Sequence, residues 1–352
     1  MDFRPDIDAH LAAKKRQYNK RKKRIKRLLC ALLIITILAV WTLIGFIAYR
    51  LIIDNSPTPP PAVSTSEVTV QLPEETTPPV TVVTEAPKTV KVTFDKEDIA
   101  RGNLILVSFV RDAEYNFDIG DDLVTLYGNK TKSYRISSTA LKLNSETVAA
   151  FNEMFDAYYS ETGNSDYQIT QAHRTYEEQK SIYDSYLETY GVEMGASLAA
   201  APGYSEHHSG YAVDMNVYTA DGISYSLGTA GDINPIYSWI YDHAAEYGFV
   251  LRFPEGKTNI TGITNEPWHF RYVGKGHASY MAENSLVLEE YIDLLYSYPY
   301  DGKHLEFSYG GISYEVFFVP LEVEECEIEF AESDVYYYSG NNVDGIIVTL
   351  IK

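Results

Sequence analysis

The chain has 352 residues, 45% of them hydrophobic, which is enough for one or two packed cores, and a formal net charge of −20 at pH 7. Residues 1–27 carry 11 Lys/Arg against 3 Asp/Glu, which leaves 18 basic and 46 acidic residues for the rest. An acidic body excludes nucleic acid as its partner, and two cysteines as distant as Cys30 and Cys326 exclude a disulfide framework or a cysteine-ligated zinc site.

The basic tip, residues 1–27, reads as a cytoplasmic tail. Leu28 to Tyr49 follows without a charge. At ~1.5 Å per residue, such a helix crosses a hydrocarbon layer of roughly 30 Å. The positive flank stays inside, so the bulk of the chain is expected outside a cell membrane as a single-pass protein anchored in the lipid bilayer. A cleaved signal peptide is the alternative, but the apolar run is long for one and no A-x-A site follows. Residues 50–93 are rich in Pro, Thr, Val and Glu and read as an extended linker.

A folded head is expected over residues 94–297. Asn103–Val110 is a strand candidate by length and β-branched content. Asn144-Ser-Glu-Thr147 opens a helix that buries Val148, Phe151, Phe155 and Tyr158 on one face. Gln168–Ala172 is a short strand, and Thr175-Tyr-Glu-Glu178 has the capping-box pattern of a helix start. Small residues from Gly195 to Gly203 read as a loop, and Ala212–Val217 as a strand. Asn234-Pro235 opens a helix that stops at Gly248, followed by strands over Phe249–Phe253 and Trp268–Val273 and a helix over Leu286–Leu295. Residues 298–352 change texture. Gly310-Gly311 sits between alternating runs as a hairpin turn, and Glu327–Phe330, Val335–Tyr338 and Ile346–Ile351 read as strands of a small β extension.

Two stretches carry candidate chemistry. Ser205-Glu-His-His-Ser-Gly-Tyr-Ala-Val-Asp214 places a histidine pair and an aspartate around a turn and a strand, and Glu266-Pro-Trp-His269 adds a histidine and a glutamate. Two imidazoles, one carboxylate and a spare glutamate make up the donor set of an open, catalytic zinc site, in which zinc polarises a carbonyl and lowers the pKa of water. Glu266 and His269 are three apart, so in an extended chain they face opposite ways unless Pro267 bends it. Glu266 would then act as general base. Between His207 and His208 the residues alone do not choose, since in an extended segment only one of the pair faces an ion. His10, His173, His243, His277 and His304 are assigned no role, and Trp268 is expected in the core.

Taken together, Ser205–Asp214, Glu266-Pro-Trp-His-Phe-Arg-Tyr-Val-Gly274 and Ala172-His-Arg-Thr-Tyr-Glu-Glu-Gln179 resemble the VanY-like zinc D-alanyl-D-alanine carboxypeptidases over roughly residues 97–295. The resemblance implies an α+β fold, a small zinc peptidase domain with a central antiparallel sheet. It implies one Zn2+ on His207, Asp214 and His269, with Glu266 as base. It matches Arg174 to a family arginine that binds an oxyanion or substrate carboxylate, and Gln179 and Ser205 to substrate-binding positions. Ala172-His173 and His208 depart from the residues frequent there, which bears on fine specificity rather than on the metal chemistry.

The expected activity is therefore removal of a C-terminal D-alanine from peptidoglycan stem peptides in the cell wall, with no nucleic acid partner. The alternatives are an L,D-carboxypeptidase or peptidoglycan endopeptidase of the same family, or a non-catalytic cell-wall-binding protein.

Overall fold

The computed structural model describes residues 88–117, 119–332 and 335–352. The expected tail, membrane span and most of the linker lie outside the described residues. Among those described, no helix is long and apolar enough to cross a membrane.

Among the described residues, the first regular element is β1 (Thr89–Asp95), which starts inside the stretch read as linker. Short strands β2 (Leu123–Thr125), β3 (Arg135–Ile136) and β4 (Lys142–Asn144) lead to α1 (Ser145–Thr162). The Asn144 side chain caps α1 by accepting from the Glu146 N–H, and Gly163 ends it at φ 68°. Its buried face is the expected one, with Phe151, Phe155 and Tyr158 fully enclosed. Strand β5 (Tyr167–Gln171) runs into α2 (Tyr176–Leu198), which starts at the predicted capping box of Thr175 and Glu178. Helix α2 breaks at Gly191 (φ 78°, ψ 168°), then continues through Leu198, into the stretch expected to be a loop.

Next come β6 (Ala212–Tyr218), β7 (Ser224–Ser226), β8 (Phe249–Leu251) and β9 (His269–Tyr272). With β3 and β5 they form a central sheet of order β3-β5-β6-β9-β8, with β7 also on β6. Its pairs are antiparallel except β3–β5, which is parallel, so the sheet is mixed rather than wholly antiparallel. Helix α1 packs its aromatic face on this sheet, with the Phe151 and Phe249 rings 4.1 Å apart between centroids.

Asn103–Val110, expected as a strand, joins no sheet; it runs as irregular chain that turns into a short helical turn at Phe109–Arg111. Its apolar residues Leu104 to Val107 are nonetheless buried, which is what the composition signalled.

Helices α3 (Lys275–Glu283) and α4 (Leu288–Leu295) precede β10 (Leu305–Tyr309), β11 (Ile312–Pro320), β12 (Glu325–Ala331), β13 (Val335–Gly340) and β14 (Gly345–Ile351). Gly310 and Gly311 make the β10–β11 turn, both at positive φ. Four of these strands form a sheet of order β10-β11-β14-β13, while β12 pairs with β1. The extension thus recruits a strand from ahead of the head. It also shares a core with it: Leu104, Tyr291, Ile292 and Leu295 cluster with Leu305, Val316, Phe318 and Ile347.

Candidate active site

Asp214 and His269 lie directly opposite each other on the neighbouring antiparallel strands β6 and β9. Residues so paired project from the same face at close range, and His269 Nδ1 stands 3.0 Å from Asp214 Oδ1. A register irregularity between Ile169 and Gln171 bends β5 beside Asp214, a common device for aiming side chains at a site. His207 comes from the short turn Glu206–Ser209 that feeds β6. That turn ends at Gly210, whose φ of 71° strains any other residue and where a Cβ would press on the Asn144 amide at 3.2 Å.

The histidine choice is decided by hydrogen bonding. His207 Nδ1 donates to the Ala172 carbonyl at 2.7 Å, so Nε2 carries the lone pair. That atom is buried, lies 3.4 Å from Asp214 Oδ2 and has no hydrogen-bond partner. His208 is used up as a clip: its Nδ1 meets the Arg174 carbonyl at 2.8 Å and its Nε2 accepts from the Gly203 N–H at 3.1 Å.

The donor atoms of His207, Asp214 and His269 all lie within 4.8 Å of one another. His269 Nδ1 faces one Asp214 oxygen, Oδ1, at 3.0 Å and His207 Nε2 faces the other, Oδ2, at 3.4 Å, so both rings converge on the same carboxylate. Burial and the Arg174 charge lower the His207 pKa to about 4, so its ring is neutral at pH 7. Burial opposes charge on both Asp214 and His269. The two histidines nevertheless hold Asp214 well below the usual carboxylate range, while Asp214 and Glu206 raise His269 to about 9. The triangle therefore calls for positive charge at its centre. A proton on His269 meets that need without metal, and a divalent cation fits the same donors.

Glu266 reaches the same place because Pro267 and Trp268 form a turn closed by the His269 N–H to Glu266 O bond at 3.1 Å. The turn cancels the opposed facing expected of an extended chain, and Glu266 Oε2 stands 3.7 Å from His269 Nδ1. Burial first, then the Asp214 charge, push its pKa up to about 7, the range suited to a general base at neutral pH.

One cavity is lined by His207, Asp214, Glu266 and His269 and by Arg174, Gln179 and Ser205. Arg174 Nε is buried with no hydrogen-bond partner, and the Asp214 and Glu266 charges act on its guanidinium against the cost of burial. Gln179 spends its amide N–H on the Ala200 carbonyl at 2.7 Å and leaves Oε1 buried without a partner. Ser205 is buried and makes no side-chain capping bond to its turn. Trp268, expected in the core, is instead 37% exposed at the cavity.

Sequence reasoning missed the layer beneath. Glu206 Oε2 lies 3.4 Å from His269 Nε2, and its Oε1 accepts from Arg252 Nε at 2.7 Å and Arg271 Nη1 at 2.9 Å. Glu289 takes the remaining Arg252 donors at 2.7 and 2.8 Å. All four side chains are buried. Burial works against the Glu206 charge, but the two guanidiniums hold its carboxyl well below the usual range. The signal was available: charged residues inside apolar strands are almost never fully buried unless paired.

The VanY family model, described as D-alanyl-D-alanine carboxypeptidase, matches residues 140–275. A D-alanyl-D-alanine carboxypeptidase of Enterococcus faecium is 35% identical over 267 residues, covering 73% of this chain and 78% of that protein. The chain belongs to the VanY family of D-alanyl-D-alanine carboxypeptidases. It is accordingly an enzyme of the zinc metallopeptidase type. A bifunctional D-Ala-D-Ala dipeptidase and D-Ala-D-Ala carboxypeptidase of Enterococcus gallinarum, VanXYC, is 35% identical over 139 residues, covering 37% of this chain and 68% of that protein. Among solved structures, the vancomycin resistance D,D-dipeptidase VanXYg, in complex with a D-Ala-D-Ala phosphinate analog, superimposes with a TM-score of 0.65 at 29% identity. The match covers 75% of this chain and 100% of that one. The family resemblance read from the motifs is thereby borne out.

Proposed function

We propose that this VanY-family enzyme is a membrane-anchored zinc carboxypeptidase that removes the C-terminal D-alanine from peptidoglycan stem peptides on the outer side of the cell membrane. The observation that carries this is the triangle of His207, Asp214 and His269, its two histidines buried, with Glu266 beside it and an unpaired Arg174 Nε in the same cavity. The anchor and the side of the membrane rest on the charge-free run Leu28–Tyr49 behind its basic flank.

His207, Asp214 and His269 would hold the ion, with Glu206 fixing the His269 ring from behind. Zinc bound there supplies Lewis acidity, which lowers the pKa of water and polarises a carbonyl. Glu266 takes the proton of the attacking water and returns it to the amine of the departing D-alanine. Its pKa of about 7 suits both transfers. Arg174 offers a guanidinium to the terminal carboxylate or to the negative charge that builds on the scissile carbonyl oxygen.

The test is incubation of the full chain in detergent with pentapeptide and tetrapeptide stems and with D-Ala-D-Ala, each with zinc and with chelator. Zinc-dependent release of D-alanine from the pentapeptide is expected. Release from the tetrapeptide would identify an L,D-carboxypeptidase instead. Cleavage of D-Ala-D-Ala itself would extend the activity to the dipeptide named for VanXYC and VanXYg. Intact substrates after zinc loading would refute the proposal.

A further inference from the structure

Among the described residues, none of the C-terminal sheet lines the cavity. One of its turns nevertheless reaches the cavity wall through an intermediary. Residues 103–106 run between two sets of partners. On one side Arg271 Nη2 donates to the Asn103 and Ile105 carbonyls, both at 2.9 Å. On the other, the end of β13 and its connection to β14 take the alternate groups. The Leu104 N–H donates to Ser339 Oγ at 2.8 Å and the Leu106 N–H to the Asn341 carbonyl at 3.1 Å. Asn342 Nδ2 donates to the Leu106 carbonyl at 2.9 Å and to the Glu114 carbonyl at 3.1 Å.

The chain between those two carbonyls is the cavity wall. Val107, Ser108, Phe109 and Val110 line the cavity. Ser108 and Ala113 exchange both backbone hydrogen bonds at 3.0 Å, so 108–113 is a closed loop. Arg111 fastens its tip to Asp293 at 2.6 and 2.8 Å. Ser108 Oγ is buried in the wall with no hydrogen-bond partner. A buried hydroxyl without a partner is destabilising, a cost that a bound amide would remove. Asn342 itself sits at φ 56°, a left-handed conformation that asparagine tolerates better than most residues.

We propose that Asn342 is a positioning residue for substrate: its amide ties both ends of the 106–114 loop and so sets Ser108 Oγ in the cavity wall, where it hydrogen-bonds an amide of the bound peptide. The C-terminal sheet thereby belongs to the substrate site without touching it. The inference rests on the peptidase reading given above.

The experiment compares the full zinc-loaded chain with N342G, N342D and S108A, using the stem peptide that the wild type cleaves. Glycine keeps the left-handed backbone and deletes only the amide. Aspartate keeps the shape but turns an acceptor toward two carbonyl oxygens. N342G is expected to raise KM about five- to tenfold with kcat within about twofold, the signature of lost binding common to ground and transition states. N342D should raise KM further, and S108A should move it in the same direction. Hydrogen exchange at Leu106, Ser108 and Ala113 should quicken in N342G. Zinc affinity, measured by competition with a chromophoric chelator, should not change.

Wild-type KM in N342G or S108A overturns the inference, as does unchanged exchange in the loop. A fall in kcat and zinc affinity at constant KM also overturns it, because that is general loosening of the fold. A wild type that cuts no stem peptide removes the peptidase reading and this inference with it. A wild type that cuts, beside an N342G that binds equally well, removes the inference alone.

Discussion

Glu206 joins the triangle of His207, Asp214 and His269 to the core, so its replacement tests both the proposed zinc site and the packing beneath it. In Glu206→Gln the shape is kept but one negative charge is lost from a group of two carboxylates and two guanidiniums, all buried. Arg252 and Arg271 then face only the Glu289 charge. Breaking a buried ion pair by removing one partner costs about 3–5 kcal/mol. For a folded unit of this size, 1 kcal/mol moves Tm by about 2–4 °C, so a fall of roughly 10 °C in the metal-free protein is expected. The second effect falls on zinc. The Glu206 carboxylate orients His269 through Nε2 at 3.4 Å, and loss of such a support weakens metal affinity by about 10–100-fold. Glu289→Gln is the control: it unbalances the same charges through Arg252 but does not touch His269. It should lose comparable Tm and keep zinc affinity within about threefold of wild type. Thermal unfolding with chelator and zinc competition with a chromophoric chelator read the two effects separately. A Glu206→Gln protein with Tm within about 2 °C of wild type and unchanged zinc affinity would refute the reasoning.

The other expectations concern single groups. Glu266→Ala should bind zinc as wild type does and lose about 10²–10⁴-fold in kcat, because only the proton carrier is gone; retained turnover removes Glu266 from that role. Arg174→Lys keeps a charge but loses the planar fork, so kcat/KM should fall about 10²-fold while zinc affinity holds; unchanged kinetics would show that Arg174 meets no substrate charge. His277 is buried, bonded to the Tyr291 hydroxyl at 2.7 Å and facing Thr349 Oγ1 at 3.1 Å, and burial lowers its pKa to about 3. A histidine held neutral in the fold, against ~6.5 when unfolded, contributes stability in full above pH 6.5 and loses it as pH falls toward 3. The loss amounts to roughly 1.4 kcal/mol per unit, or about 2 kcal/mol by pH 5. Urea unfolding at pH 7.5 and pH 5 should therefore show a smaller pH effect in His277→Gln than in wild type, the difference isolating this group from the others that titrate. Equal pH effects would contradict it.

Much of the local structure was legible from the chain because it is set by neighbours in sequence. Asn144 capping α1, Thr175 and Glu178 closing a capping box, Gly248 stopping a helical stretch and Gly310-Gly311 turning a hairpin are all decided within a few residues. Asn103–Val110 shows the limit. Its β-branched, apolar composition fits a strand, but its hydrogen bonds are claimed by Arg271, Ser339, Asn341 and Asn342, far away in the chain. Those partners leave it irregular and largely buried, outside any sheet.

The chain by itself determined which residues gather at the site. The two motifs offer the donor set of a metal site and a carboxylate beside it, because metal chemistry restricts the residue types that serve, while His207 over His208 and the Arg174 segment were marked by the family resemblance. Tertiary structure decided how they are held. His207 rather than His208 faces the triangle because the Ala172 carbonyl takes one ring nitrogen and leaves the other free. Glu266 joins His269 because a turn at Pro267 reverses the facing of an extended strand. The Glu206, Arg252, Arg271 and Glu289 layer, and the hold of the C-terminal sheet on the cavity wall, join residues too far apart in the chain for spacing to predict. Burial is what makes such distant pairings compulsory, since a charge or an amide taken out of water must find its partner wherever the fold supplies one.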